Sequence, residues 1–121
     1  MSKVFGLRTL RLISNDTSKS RKFFQELFEI QPIEVQQNFV SFLIGNSILD
    51  ICLEDYKNPS SSGGTIGYWQ VEDLEFFIQK ARKLGGEVFR GPLEVKETNT
   101  KIVQIKDPCG SVIGLEQTLQ L

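Results

Sequence analysis

Hydrophobic and polar positions follow the same order twice along the chain. A run of strand-forming residues ends shortly before Asp16, and a similar run ends shortly before Asp73. Each aspartate is suited to cap a helix, and a leucine follows at the same offset in both copies, at Leu27 (27 − 16 = 11) and at Leu84 (84 − 73 = 11). The aspartates are 73 − 16 = 57 residues apart. The pattern therefore predicts two copies of one strand–helix–strands unit that cover nearly the whole chain.

The first copy is expected to begin with a strand over residues 5–13. Alternation places Leu10 and Leu12 on one face and Arg11 on the other. Asp16 or Thr17 should cap a helix that runs to about Ile30 and carries an apolar stripe, before Pro32 prevents its continuation. Further strands are predicted at 33–35, 39–44 and 48–53, with a tight turn at Gly45-Asn46 between the last two.

The second copy is expected to begin with a strand over residues 65–71, followed by a helix that Asp73 caps and Gly85-Gly86 ends. After it we predict a short strand at 87–89, a turn at Gly91-Pro92, a polar loop at 97–100, and two strands at 101–106 and 111–117. The stretch 56–64 has linker composition. We therefore expect one domain over 1–121, with modules at about 4–55 and 65–119 joined by the linker 56–64.

Composition narrows the class of protein. The chain has 121 residues, 40% of them hydrophobic, which is enough for one core. The formal net charge is −1, with 14 basic and 15 acidic residues, so no nucleic-acid partner is expected. No apolar run is long enough to cross a bilayer, and two cysteines suit a reducing compartment. We expect a cytoplasmic protein without a membrane partner. The absence of histidine removes the commonest metal ligand and the usual general base.

Several motifs together resemble the vicinal oxygen chelate superfamily, which includes glyoxalase I, bleomycin-resistance proteins and extradiol dioxygenases. They are the two strand-then-aspartate units, the pair Phe23-Phe24 with Leu27, the stretch 81–88 (ARKLGGEV), and above all 107–115 (DPCGSVIGL), which is similar to the family's Asp-Pro turn and final strand. The resemblance implies an α+β fold in which two tandem βαββ(β) modules form a curved mixed-sheet cup with helices outside. It also implies a homodimer, for which exposed strand edges would give a physical motive.

In metal-dependent members of that superfamily, ligands come from the first and last strands of each module. The matching positions here are Thr9, a residue near Asp50, Ile66 and Gly114. Because Ile66 and Gly114 have no side-chain donor atoms, the resemblance does not imply glyoxalase or dioxygenase chemistry. We expect neither a cofactor nor a catalytic residue. An alternative is one divalent metal ion on shifted ligands, with Asp50 and Glu116 as ligands and Cys52 as a further candidate.

Strand alternation predicts which side chains line the cup: Thr9, Arg11, Asp50, Cys52, Ile66, Tyr68, Gln70, Gly114 and Glu116. We interpret this lining as a site for a small organic molecule, with Tyr68 as a stacking surface and the polar groups as anchors. In the alternative interpretation, Arg11 pairs with Asp50 or Glu116 and only closes the cup. Trp69 has the opposite orientation from Tyr68 and should pack under the second helix.

Three functions remain open on this basis. The favoured one is a metal-independent protein of the glyoxalase/bleomycin-resistance type that sequesters or carries an organic ligand in the cup. The second is a metal-dependent lyase, isomerase or dioxygenase relative that uses the shifted ligands. The third is a protein that acts through protein contacts alone, which a cup filled with side chains would favour. No nucleophile–base pair and no phosphate-binding loop stands out in the sequence.

Overall fold

An aspartate marks the start of each helix in the computed structural model, which describes residues 2–3, 5–56, 58–59 and 66–119. Asp16 precedes α1 (Thr17–Phe28), and its side chain accepts a hydrogen bond from the backbone N–H of Lys19 at 3.0 Å. Asp73 precedes α2 (Leu74–Lys83) and accepts one from the N–H of Phe76 at 3.3 Å. These N–H groups have no partner within their own helix, so each cap stabilises a first turn. The predicted helix starts are confirmed.

Four strands of the first module form one mixed sheet in the order β1-β4-β3-β2. Strand β1 runs parallel to β4, and the other neighbours are antiparallel. The Gly45-Asn46 turn joins β3 to β4 as predicted, with Gly45 in the left-handed region at φ 60°. The strand bounds are β1 (Thr9–Ser14), β2 (Glu34–Gln36), β3 (Phe39–Ile44) and β4 (Ser47–Leu53).

The second module repeats this topology with the order β5-β8-β7-β6. Strand β5 is parallel to β8, and the remaining pairs are antiparallel. The chain therefore has the predicted α+β fold of two related modules, each with one helix and a mixed sheet. The strand bounds are β5 (Tyr68–Gln70), β6 (Glu87–Val95), β7 (Thr100–Lys106) and β8 (Val112–Thr118).

The predicted bounds of the first strands of both modules were wrong. Residues 5–8 lie outside β1, which begins at Thr9 opposite Ile48, although the Arg8 carbonyl still accepts a hydrogen bond from the Ile48 N–H at 2.7 Å. Strand β5 is shorter than the predicted 65–71, because it pairs with β8 only from Tyr68 to Gln70. The first helix also ends earlier than Ile30, at Phe28, because Glu29 adopts a left-handed conformation with φ 52°. Most of the predicted linker 56–64 lies outside the described residues.

The predicted turn at Gly91-Pro92 was wrong. These two residues belong to the long strand β6. The register against β7 shifts twice, between Val88 and Arg90 and again between Arg90 and Leu93. Strand β6 is the edge of its sheet. An edge strand tolerates a proline because one side of it need not donate hydrogen bonds to a neighbour. Hairpin residues before Thr100 form the predicted polar loop, although Thr100 itself begins β7.

A single hydrophobic cluster joins the two modules. It contains the inward faces of both helices and one face of each sheet, including Phe24, Leu49, Ile78 and Leu115, all at most 2% exposed. Trp69 packs against this cluster, and its ring centroid lies 6.4 Å from that of Phe28 in α1. The predicted core-side orientation of Trp69 is therefore confirmed, and its aromatic contact is with the first helix.

A buried carboxylate also connects the modules. Asp107, which is 3% exposed, lies in the turn before β8 and accepts a hydrogen bond from Ser20 Oγ of α1 at 2.7 Å. It also accepts bonds from the backbone N–H groups of Cys109 and Ser111 at 2.9 and 2.8 Å. The Cys109 thiol contacts the carbonyl oxygen of Asp16 at 3.5 Å. The Asp-Pro turn thus fastens the second module to the first helix.

Neither helix resembles a membrane span. Among the residues that the structure describes, no helix combines the length and the apolar composition that crossing a bilayer requires.

Candidate functional site

Strand alternation divides each sheet into a helix side, which faces the hydrophobic cluster, and a helix-free face. On the first sheet Arg11, Asp50 and Ser41 are direct neighbours across β1, β4 and β3. The intervening residues of these strands, such as Leu49 and Ile51, are fully buried on the helix side. The predicted site residues of this module therefore share the helix-free face.

Asp50 is the centre of a polar cluster on this face. It is only 6% exposed, and its Oδ1 accepts a hydrogen bond from Ser41 Oγ at 2.7 Å. Its Oδ2 pairs with Nη2 of Arg11 at 3.2 Å, and the Arg11 side chain is 60% exposed. Asp50 and Glu116 were the two partners predicted for Arg11, and in the structure Arg11 pairs with Asp50. The pair holds one edge of the guanidinium while most of the Arg11 side chain remains accessible to solvent.

Cys52 and Thr9 extend the cluster along the sheet. Cys52 is opposite Ile13 and Phe39, and Thr9 is opposite Ile48, so both lie on the helix-free face. Burial raises the pKa of the Cys52 thiol, against the lowering effect of the Arg11 charge, and the Asp50 charge raises it further. A thiol with a raised pKa is a poor nucleophile near neutral pH.

Tyr68 is the main aromatic surface on the second sheet. It is opposite Gly114, and a Cβ placed on Gly114 would overlap atoms of the Tyr68 ring, so the ring lies directly over the glycine backbone. Gln104 Nε2 donates a hydrogen bond to the Tyr68 hydroxyl at 2.9 Å. The residue is 36% exposed. A ring supported from below and held at its hydroxyl presents a pre-oriented face for stacking.

The other predicted residues of the second module lie around Tyr68. Gln70 is directly opposite Glu116, and its Nε2 donates to Thr118 Oγ1 at 3.3 Å. Ile66 is partly buried and precedes β5 instead of belonging to it. The structure thus brings the predicted residues together as two groups, one on each sheet.

Two residues with a clear role were not predicted. Ser41 holds Asp50, and Gln104 holds Tyr68. Both lie on strands next to the predicted ones, opposite a predicted residue in the register. Extending the alternation rule to β3 and β7 would have identified them.

The side chains present do not fit the divalent metal ion of metal-dependent relatives. In the described part of the chain, no group of three or more Cys, Asp or Glu residues is placed to hold a metal ion, and the sequence has no histidine. A divalent site needs about three protein ligands, yet Ile66 and Gly114, two of the ligand positions that the resemblance implies, have no side-chain donor atoms. Asp50 already accepts bonds from Ser41 and Arg11.

A family model described as the Glyoxalase/Bleomycin resistance protein/Dioxygenase superfamily matches residues 6–115. Comparison with curated proteins gives no match.

Solved structures share the fold at low sequence identity. A glyoxalase/bleomycin resistance protein/dioxygenase family enzyme from Burkholderia phytofirmans PsJN is 18% identical with a TM-score of 0.78, over 92% of this chain and 97% of that one. A glyoxalase-related enzyme from Fulvimarina pelagi is 16% identical with a TM-score of 0.76, over 95% and 89%. A glyoxalase/bleomycin resistance protein from Albidiferax ferrireducens T118 is 17% identical with a TM-score of 0.74, over 92% and 98%. At these identities the likeness shows a common fold alone.

Proposed function

Because the chain belongs to the glyoxalase/bleomycin resistance protein/dioxygenase superfamily, we propose that it is a metal-independent binding protein that sequesters or carries a small organic molecule on its helix-free face. The proposal goes beyond family membership, and it depends on how the side chains of this face are arranged. It assigns no catalytic residue and no cofactor.

The Tyr68 ring is the observation that carries the proposal. Its lower face is occupied by Gly114 and its hydroxyl by Gln104, while 36% of the residue remains exposed. A planar ligand can stack on such a ring at a small entropic cost, because the ring does not have to be ordered on binding.

Arg11 supplies a polar anchor for the same ligand. Its guanidinium is held by Asp50 through a single nitrogen, and 60% of the side chain is exposed. A guanidinium presents five N–H donors, so the remaining donors suit a carboxylate or carbonyl group. A cationic drug such as bleomycin would be repelled by this charge.

A ligand screen by thermal shift, with native mass spectrometry of the positives, tests the proposal. A bound molecule at 100 times its dissociation constant should stabilise the fold by about 2.7 kcal/mol. Tyr68→Leu should abolish this stabilisation, whereas Phe89→Leu, which changes an aromatic residue of 46% exposure on β6, should preserve it. If no small molecule stabilises the protein, or if both variants respond alike, the binding proposal is wrong.

Elemental analysis of the purified protein tests the metal-independent part separately. We expect no divalent metal ion in stoichiometric amount. Near-stoichiometric Ni, Zn, Mn or Fe that is lost in Asp50→Ala would favour the alternative, a metal-dependent lyase, isomerase or dioxygenase relative with Asp50 and Glu116 as ligands.

We further propose a cytoplasmic homodimer. Phe5 and Leu7 expose 92% and 76% of their surface, which favours their burial against a second copy. Cys52 and Cys109 both have free thiols, as suits a reducing compartment. Light scattering coupled to size-exclusion chromatography should give twice the monomer mass, and Phe5→Ser with Leu7→Ser should shift it towards the monomer. A monomeric mass for the unmodified chain would contradict the dimer.

A further inference from the structure

A pocket lies where the two modules meet, away from the polar cluster around Asp50. Its volume is about 470 Å³, within the usual range for small-molecule sites. The start of β1, the β3–β4 hairpin and β5 form its walls. A residue from each contributes an apolar surface: Leu10, Ile44 and Trp69.

The pocket is built largely from the side of the strands opposite to the proposed cup site. Leu10 alternates with Arg11 on β1, and Trp69 alternates with Tyr68 on β5. Ile44 lies on β3 with the orientation of the buried Phe42. These three residues therefore face the helix side. Of the residues predicted to line the cup, only Tyr68 and Gln70 also line this pocket.

The lining has aromatic and hydrogen-bonding groups but no charge. Every one of its side chains is neutral, and Asn46, Ser47 and Gln70 provide amide and hydroxyl groups beside the Trp69 indole. A charged ligand would lose its hydration here without gaining an ionic partner. A neutral ring with amide or hydroxyl substituents would stack on the aromatic surface and keep its hydrogen bonds.

Glycine leaves part of the wall open. Gly67 packs so closely on β1 that a Cβ placed there would lie 2.6 Å from Cδ2 of Leu10, and Gly45 has only open space around it. Both glycines line the pocket. At Gly45 the backbone is therefore accessible to a flat ligand, whereas at Gly67 the Leu10 side chain covers it.

From this lining we infer that the junction pocket binds a neutral, planar aromatic molecule that carries amide or hydroxyl groups. The inference does not rest on the function proposed for the helix-free face, since the two linings share only Tyr68 and Gln70 and the ligand inferred for the pocket is neutral. The protein would then have two binding sites that prefer ligands of different charge. The junction pocket prefers neutral ligands, and the helix-free face prefers anions because of Arg11.

Trp69 is the only tryptophan of the chain, so its fluorescence reports on the pocket directly. We would titrate the full chain with benzamide and, in parallel, with benzoate, which has nearly the same shape but a negative charge. Benzamide should change the Trp69 emission in a saturable manner, and benzoate should bind at least about tenfold more weakly. The methyl NMR signals of Leu10 and Ile44 should shift with benzamide.

The hairpin turns offer a matched pair of variants. Asn46 and Asn38 each occupy the second position of a two-residue turn, but only Asn46 lines the pocket. Asn46→Phe should fill the pocket and weaken benzamide binding at least about tenfold, whereas Asn38→Phe should bind as the unmodified chain does. Neither asparagine has a positive φ, so phenylalanine introduces no backbone strain.

Five outcomes would overturn the inference: no saturable signal with benzamide, equal binding of benzamide and benzoate, no methyl shifts at Leu10 and Ile44, equal behaviour of the two asparagine variants, or loss of benzamide binding in Arg11→Gln. Arg11→Gln separates the two sites. It should leave benzamide binding unchanged, and a loss of binding would place benzamide on the helix-free face and refute the junction pocket while leaving the proposed function intact. Failure of the ligand screen together with saturable benzamide binding at Trp69 would refute only the proposed function.

Discussion

The ring of Tyr68 lies on the backbone of Gly114, its direct neighbour across β5 and β8. The resemblance to metal-dependent relatives implies a ligand position at Gly114, where this chain instead has a glycine that supports an aromatic ring. The absence of a side chain at 114 is what allows Tyr68 to lie flat against the sheet. One position thus accounts both for the missing donor atom and for the presence of a stacking surface.

Gly114→Ala should displace the Tyr68 ring. The added Cβ overlaps the ring, so we expect the free energy of unfolding to fall by roughly 1–3 kcal/mol, and ligand stabilisation to be lost. Urea denaturation measures the first effect, and thermal shift measures the second. In the Tyr68→Ala background, Gly114→Ala should lower the free energy of unfolding by much less, because the ring that overlaps the new Cβ is absent. Equal costs in the two backgrounds would show that Tyr68 does not rest on Gly114.

Ser41→Ala should destabilise the protein more than Arg11→Gln does. Ser41 donates to a carboxylate that is 6% exposed, so its loss leaves a buried acceptor short of a donor, at a cost of roughly 1–3 kcal/mol. The Arg11 side chain is 60% exposed, and water screens its pair with Asp50, so we expect about 0–1 kcal/mol. Chemical denaturation of both variants decides the order. The reverse order would mean that Arg11, and not Ser41, secures Asp50.

Alkylation of Cys52 should require a higher pH than alkylation of free cysteine. Burial raises the pKa of its thiol, and the Arg11 charge opposes that shift. We would follow the rate of alkylation against pH in a Cys109→Ser background. The inflection should lie above that of free cysteine, and Arg11→Gln should move it higher still. An inflection at or below that of free cysteine would contradict the burial effect.

The same raised pKa makes stability depend on pH in the alkaline range. The protonated thiol is favoured in the folded state, so the contribution of Cys52 is fully present below the pKa of the unfolded chain and is lost as the pH rises through the folded-state pKa. Comparing the unfolding free energy of Cys52→Ala with that of the unmodified chain across this range should show a larger loss in the latter. Parallel curves would exclude the linkage.

Asp107→Ala should be among the most destabilising single changes in the chain. The carboxylate is 3% exposed and accepts hydrogen bonds from Ser20, Cys109 and Ser111, so we expect a loss of roughly 3 kcal/mol. Ser20→Ala removes one of these bonds and should cost roughly 1–2 kcal/mol. Asp16→Ala, which removes an exposed helix cap, is the matched control at about 1 kcal/mol. Equal effects of the two aspartate substitutions would show that Asp107 does not hold the modules together.

The modular fold could be predicted because local signals agree with it. Asp16 and Asp73 are both helix caps and repeat markers, and each is followed by a stripe of apolar residues at helical spacing. Alternation in the strands correctly separated Arg11 from Leu10 and Tyr68 from Trp69. Helix caps and strand alternation depend on residues that are close together in the sequence, so the order of polar and apolar residues predicts them.

Features set by pairing between distant segments could not be predicted in the same way. The extent of β1 depends on its pairing with β4, and the course of β6 through Pro92 depends on its place at an edge of the sheet. Likewise, Asp107 was recognised as part of a turn, but its bond to Ser20 joins residues far apart in the chain. Alternation would have assigned Ser41 and Gln104 to the helix-free face, but their pairing with Asp50 and Tyr68 follows only from the strand registers.

The irregular edge of the second sheet also bears on how the protein resists aggregation. An exposed edge strand with regular spacing can template the addition of a strand from another molecule, the first step towards a fibril. Strand β6 lacks the N–H group of Pro92, and its register slips on either side of Arg90. A strand from another molecule therefore cannot pair continuously along this edge. The irregularity that prevented prediction of the full length of β6 thus also protects the folded protein against polymerisation through β6.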